Sequence, residues 1–248
     1  MSDPYASPKS DLDKPVETQM GSLEQGLAGN YQITIGGILK ESWDLVSGAK
    51  LQFFLFGLIY IAVMFLVTFI NKLTGLDGQA AMEAGDLTTG FMLSFGSGFL
   101  MMPITMPLYA GVVYMGIRRA AGLSFSVSDG LSCYKQVIPI TIVSLLSAII
   151  IYIGIILLII PGIYFTIAYM LGVPLVIDRK MGAWQALETS RKAITKHWFT
   201  IFGTFIVLLL IIMVSIIPLG IGLIWTLPFA AIVIGILYKT VFGIETNH

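Results

Sequence analysis

VIPITIVSLLSAIIIYIGIILLIIPGIYFTIAYMLGVPLVI, residues 137–177, is 41 residues without an Asp, Glu, Lys or Arg. At helical rise such a run extends about 60 Å, twice the roughly 30 Å of a bilayer's hydrocarbon core. It reads as two membrane-spanning helices joined by a tight turn. The turn is expected at Pro161-Gly162, because proline removes a backbone donor and glycine accepts turn conformations. A β-barrel strand would alternate polar and apolar residues over about ten positions. Leu145–Ile160 is instead apolar on all sides.

The rest of the chain follows the same pattern. Trp198–Tyr238 is another 41 uncharged residues, with its break expected near Pro218 and Gly220-Ile221-Gly222. Leu51–Ile70 supplies 20 uncharged residues and Phe91–Ile117 supplies 27, long enough to tilt or to project. The expected fold class is therefore all-α: a polytopic membrane protein of six transmembrane helices arranged as three hairpins. Composition agrees, with 56% hydrophobic and 11% charged residues and a mean hydropathy of +0.89. Soluble domains carry about 25% charged residues.

The basic residues give the orientation. With the N-terminus inside, 13 of the 14 Lys+Arg fall in cytoplasmic segments and only Lys72 lies outside. This satisfies the positive-inside rule and expects both termini in the cytoplasm. Three of the four tryptophans, Trp43, Trp184 and Trp198, fall near the inferred inner interface, where such rings concentrate. Residues 1–35 read as a disordered polar tail rather than a signal peptide, since acidic residues and prolines stand where a basic start and an apolar core would be. Residues 36–240 form the six-span domain, in units 36–117, 122–177 and 182–238, and 241–248 are a short cytoplasmic tail.

A similar segment precedes each pair of spans. Gly36–Lys50 (GGILKESWDLVSGAK) and Gly182–Lys196 (GAWQALETSRKAITK) are both 15 residues long, and Gly122–Lys135 (GLSFSVSDGLSCYK) is one shorter. The recurring plan is an internal repeat: an amphipathic cytoplasmic helix, a span out, a span back. In the third unit Trp184, Leu187, Ile194 and Trp198 mark the apolar side, with Glu188 and Lys192 one turn apart on the other. In the first unit Ile38, Leu39, Trp43 and Val46 do the same. Such helices either lie in the headgroup region or act as elbows packed on neighbouring spans, the elbow being the expectation.

The chemical inventory is sparse. Zero net charge gives no reason to expect nucleic acid as a partner. One cysteine, Cys133, and two histidines, His197 and His248, make neither a disulfide framework nor a multi-ligand metal site. No catalytic motif stands in a supporting context, so no catalytic, cofactor-binding or metal-binding residue and no cofactor are expected. The candidate interfacial and structural residues are Asp178, Arg179, Trp184, Glu188 and His197, with an ion pair at the elbow after the fourth span preferred over an acid–base pair. The spans hold no ionisable carboxylate, lysine, arginine or histidine, which weighs against a proton-driven pump. Each returning span has two prolines at or near it, and Pro107, Pro174 and Pro228 are the candidate kinks. The kinks serve packing on one reading and expose carbonyls to a cavity on the other. Gly90, Ser94 and Gly98 form a stripe of small residues suited to close helix contact.

Residues 161–199, PGIYFTIAYMLGVPLVIDRKMGAWQALETSRKAITKHWF, resemble the bacterial YciC-like integral membrane proteins and the membrane domain attached to some glycerophosphodiester phosphodiesterases. The residues that carry the likeness are Pro161, Gly162, Tyr169, Pro174-Leu175, Asp178-Arg179, Gly182, Trp184, Ala186-Leu187 and Ser190. The resemblance implies the bacterial inner membrane and transfers no activity. The functional expectation is a non-enzymatic protein with a structural, regulatory or accessory role, whose partners are membrane lipids and another membrane protein. The alternative is a transporter, channel or lipid-handling protein with proline-broken spans along its path.

Overall fold

The computed structural model describes residues 20–245, and among these the chain is helical with no strand. The helices are α1 (Leu23–Ala28), α2 (Ile35–Val46), α3 (Lys50–Thr74), α4 (Gln79–Glu83), α5 (Leu87–Ala120), α6 (Val127–Leu131), α7 (Val137–Leu157), α8 (Ile159–Ala168), α9 (Gly172–Arg179), α10 (Ala183–Thr195), α11 (Trp198–Ile216) and α12 (Leu223–Phe242). A 3₁₀ turn, Ser132–Gln136, joins α6 to α7. Six helical segments among the described residues are long and apolar enough to cross a bilayer: Lys50–Thr74, Leu87–Ala120, Val127–Leu157, Ile159–Arg179, Trp198–Ile216 and Leu223–Phe242.

Local chemistry sets the element ends. Thr34 caps α2 by accepting from the Gly37 N–H at 3.1 Å, and Asp86 caps α5 by accepting from Thr89 N–H at 3.0 Å. Ser126 and Asp129 form a capping box at the start of α6. Between α11 and α12 the turn occupies residues 217–222, where the chain crosses into left-handed conformation at Leu219 (φ 55°) and Gly220 (φ 78°).

Two breaks differ from expectation. The α7–α8 turn is a single extended residue, Leu158, three positions before Pro161. Pro161 is the third residue of α8, in the first turn, where backbone N–H groups have no partner four residues back and a missing donor costs nothing. The fourth span is also interrupted at Tyr169–Leu171, so Pro174 sits in the first turn of α9 instead of kinking a continuous helix. Pro107 and Pro228 are buried within the unbroken helices α5 and α12.

Burial is uneven along α5, α9 and α12. In α5 it concentrates from Pro107 to Ala120, in α9 from Gly172 to Asp178, and in α12 from Thr226 to Phe242. The opposite ends of the spans carry large apolar side chains facing outward: Phe65 is 74% exposed and Ile160 79%. That pattern suits hydrocarbon as the solvent and leaves side-chain packing to hold the helices together. The tightest packing joins α5 and α12. A Cβ built at Gly235 would lie 2.3 Å from the Gly116 carbonyl oxygen, and one at Gly116 would lie 2.2 Å from that of Ala231. Only glycine permits backbones so close.

The helices that precede the spans pack by one rule. α6 lies against α3 and α5; α10 lies against α7, α8 and α9; α2 lies against α11 and α12. In each case the segment runs opposite to the returning helix it touches. Asp129 faces Arg118 while Tyr134 reaches the Ile104 carbonyl, and Gly172 packs against Leu187 while Thr195 bonds Tyr164. Likewise Lys239 reaches Glu41 while Lys50 lies over Trp225.

Residues 1–19 and 246–248, with the expected tail over 1–19, lie outside the described residues. Residues 20–35 do not belong to a disordered tail. α1 docks on α12, with Gly21 N–H donating to the Lys239 carbonyl, and buried Tyr31 donates from its hydroxyl to the Ala193 carbonyl at 2.9 Å. Of the acidic residues in that stretch, Asp3, Asp11, Asp13 and Glu17 precede residue 20 and only Glu24 lies on α1, so averaging over 35 residues hid a docking segment.

Candidate functional site

The charged residues at the C-terminal ends of α5, α9 and α12 gather where those helices converge. Asp178, buried near the end of α9, accepts a 2.6 Å hydrogen bond from the Tyr238 hydroxyl and one from the Glu245 N–H at 3.3 Å. Next to it, Arg179 donates from Nη2 to the Phe242 carbonyl at 2.6 Å and from Nη1 to Glu245 Oε1 at 3.1 Å. Lys239 of α12 donates from Nζ to the Ala120 carbonyl at 3.2 Å and to Glu41 of α2 at 3.0 Å. Arg119 donates to the carbonyls of Leu45 and Ser47 at 2.8 and 2.6 Å, closing the end of α2. The last carbonyls of a helix lack intrahelical partners and carry the negative end of its dipole. Each of these cations sits on one helix and satisfies the carboxyl end of another.

The break between α8 and α9 is sealed from α10. Ser190, fully buried, donates from Oγ to the Ala168 carbonyl at 2.7 Å and accepts from the Leu171 N–H at 3.2 Å. One hydroxyl thus supplies a partner on each side of the break. Ser190→Ala leaves a buried donor and a buried acceptor unpaired, at a cost of about 1–3 kcal/mol. The check is thermal unfolding in detergent, together with faster hydrogen exchange at the Leu171 amide. An unchanged melting temperature and unchanged exchange would refute the assignment.

Glu188 does not join the Asp178–Arg179 cluster. It pairs within α10, accepting from Arg191 Nη2 and Nε at 2.7 and 2.9 Å, with Lys192 Nζ at 3.4 Å. The Arg191 hydrogen bonds hold its carboxyl down to about 2, and the carboxylate in turn raises the Arg191 guanidinium. Because the folded value is depressed, the pairing is fully present above the ordinary value of 4.5 and is lost as pH falls through about 2. Carboxyl carbon chemical shifts followed against pH should give a midpoint near 2, and Arg191→Gln should return it toward 4.5. A wild-type midpoint at the ordinary value would contradict the geometry.

His197 contacts the Gly29 carbonyl through Nε2 at 3.1 Å and lies tilted against the Tyr31 ring, so it anchors the segment before α2. Of the apolar side expected for α10, Leu187 and Ile194 are buried while Trp184 is 62% exposed, and Ala186, Thr189, Ser190 and Ala193 complete the buried side. On α2 the expected side holds except at its tryptophan. Ile38, Ser42 and Val46 are buried, while Trp43 is 51% exposed and meets Phe229 edge-on. In the small-residue stripe, Gly90 packs on Gly78 and Met82, Ser94 donates to the Asp77 carbonyl, and Gly98 faces open space.

Among the described residues no three His, Cys, Asp or Glu side chains converge as a metal site would require. Cys133 is buried. An open apolar groove of about 460 Å³ runs along α11 and the start of α12, beside Trp43, and none of Pro107, Pro174 or Pro228 lines it. Sequence reasoning missed Tyr238, Glu41 and the sealing role of Ser190. Tyr238-Lys239, a polar pair closing an uncharged run, was the available signal. No family model, curated protein or solved structure matches the chain.

Proposed function

We propose that this chain is a non-enzymatic protein of the bacterial inner membrane with a structural, regulatory or accessory role toward lipid or membrane partners. In this reading the six apolar helices form three hairpins that enter from the cytoplasm, each preceded by an amphipathic elbow, and both termini are cytoplasmic. The observation that carries the proposal is what the charged side chains at the inner helix ends do. Arg119, Arg179 and Lys239 tie the end of one helix to another, and Asp178 holds Tyr238 and the segment after α12.

Further support comes from the order of packing. Each elbow lies on the spans of the preceding unit, and α2 lies on those of the third. This is what a threefold internal repeat closed into a ring would give. The positive-inside count and the resemblance over residues 161–199 favour the inner membrane. A transport reading draws on the interrupted fourth span, but the groups freed there are taken by Ser190.

The test is reconstitution. Purified protein in sealed liposomes should leave small-solute efflux at the rate of protein-free vesicles. Saturable flux would overturn the reading in favour of transport. Reagents that do not cross the membrane should leave cysteines placed near residues 120 and 180 unlabelled from outside the cell. Labelling there would reverse the orientation.

A further inference from the structure

We propose that the exposed side of α10 docks the headgroups of anionic phospholipids, with Lys192 and Lys196 as the cations that hold the phosphate. The inference rests on the lipid-contacting role proposed above and assigns it to one helix and one class of lipid.

Position is the first observation. The candidate span before α10 ends at Arg179 and the next begins at Trp198, so α10 lies where two spans reach the edge of the bilayer. Its buried side packs on α7, α8 and α9. Left outside are Trp184, Gln185, Lys192, Thr195 and Lys196, with Glu188 half-buried among them. At about 3.6 residues per turn, Trp184, Glu188, Lys192 and Thr195 share one face, opposite the buried Ser190.

The chemistry of that face is the second. A face wetted by solvent alone gains nothing from the Trp184 ring, which is 62% exposed. A face in hydrocarbon would not carry Lys192, whose side chain is 57% exposed. An exposed ring and lysines together suit the headgroup layer.

Charge is the third. From Gly182 to Lys196, the cations Arg191, Lys192 and Lys196 stand against Glu188 alone and leave a net charge of +2. The two corresponding segments are balanced, with Lys40 and Lys50 against Glu41 and Asp44, and Lys135 against Asp129. Glu188 is taken up by Arg191 through two hydrogen bonds, at 2.7 and 2.9 Å. Lys192 Nζ stands farther off at 3.4 Å, so sharing that carboxylate leaves most of its charge uncompensated. Lys196 lays its aliphatic stem on Gly29 and belongs to none of the ion pairs found among the described residues. A lipid phosphate supplies the missing anion at the depth where Trp184 sits. An acidic protein surface would supply the charge and leave the ring at the bilayer edge unexplained.

The test titrates the full chain, in neutral detergent, with phosphatidylglycerol or phosphatidylcholine and counts bound lipid by native mass spectrometry. Phosphatidylglycerol should bind more tightly, by about fivefold for each of the two lysines. Lys192→Gln and Lys196→Gln should each remove about that factor, and Gln185→Lys, on the same exposed side, should add it. Lys40→Gln, at an exposed lysine of the balanced first segment, should leave the preference unchanged. Equal binding of the two lipids by the parent chain overturns the proposal, as when an acidic protein is the occupant. A loss on Lys40→Gln as large as on Lys192→Gln also overturns it, because the attraction would then belong to the basic surface at large. So does a preference that Gln185→Lys fails to raise. None of these outcomes alters solute efflux, so this inference and the proposed role fail separately.

Discussion

Gly235→Leu should prevent the chain from reaching its native bundle. A side chain there meets the Gly116 carbonyl, and the nearest atoms belong to backbone on both sides of the contact. A flexible neighbour could rotate away; a helix backbone cannot. α5 and α12 would have to separate over the stretch that holds most of the buried residues of both. The cost lies at or beyond the roughly 3 kcal/mol upper end of overpacking penalties. The measurement is the midpoint of unfolding by a denaturing detergent, together with recovery of monodisperse protein. Gly98→Leu is the matched control, since no atom lies within 4 Å of a Cβ at that position. It should shift stability by no more than about 0.5 kcal/mol. Equal behaviour of the two variants would show that α5 and α12 do not touch as described.

Asp178→Ala should be the most damaging change among the polar residues. It removes the acceptor of both the buried Tyr238 hydroxyl and the Glu245 amide, and leaves the hydroxyl's proton without a carboxylate beside the Arg179 side chain. Hydrogen bonds to a charged group contribute about 1.5–3 kcal/mol, and an orphaned buried donor costs a similar amount. A loss of about 3 kcal/mol is expected. Asp178→Asn keeps shape and an acceptor oxygen and should lose about 1 kcal/mol. Tyr238→Phe alone should cost about 2 kcal/mol, and the Asp178→Ala, Tyr238→Phe double variant should be about 1.5 kcal/mol less destabilised than the sum of the singles. Strict additivity would mean that the pair does not interact.

The spans were legible because length and charge alone define them: 41 uncharged residues cannot cross a 30 Å layer once. Turn positions were less so. Proline marks either a break or the first turn after one, and at Pro161 and Pro174 it was the latter. On α2 and α10 the expected aliphatic residues Ile38, Val46, Leu187 and Ile194 are buried, and the departures are the two tryptophans, Trp43 and Trp184. In a membrane protein a large aromatic ring is as much at home facing lipid as facing protein, so Trp43 and Trp184 carry little information about which way the core lies. Small residues were the better guide, since Ser42, Ser190 and Gly130 sit where these segments press on returning helices. The candidate cluster was half visible. Asp178 and Arg179 were singled out, but their partners lie 60 or more residues away and no local pattern points to them.

The contact between α2 and α12 constrains how the protein can be made. Roughly 180 residues separate the end of α2 from the start of α12, so at about 5–20 residues per second the ribosome needs on the order of ten seconds or more to supply the partner. Throughout that interval Ile38, Ser42 and Val46, all buried in the finished fold, lack the contacts that α12 brings to α2. The packing of α2 is therefore completed only when α12 is made, and α12 acts as the latch. A chain stalled before that point displays the incompletely packed face to the quality-control proteases of the membrane.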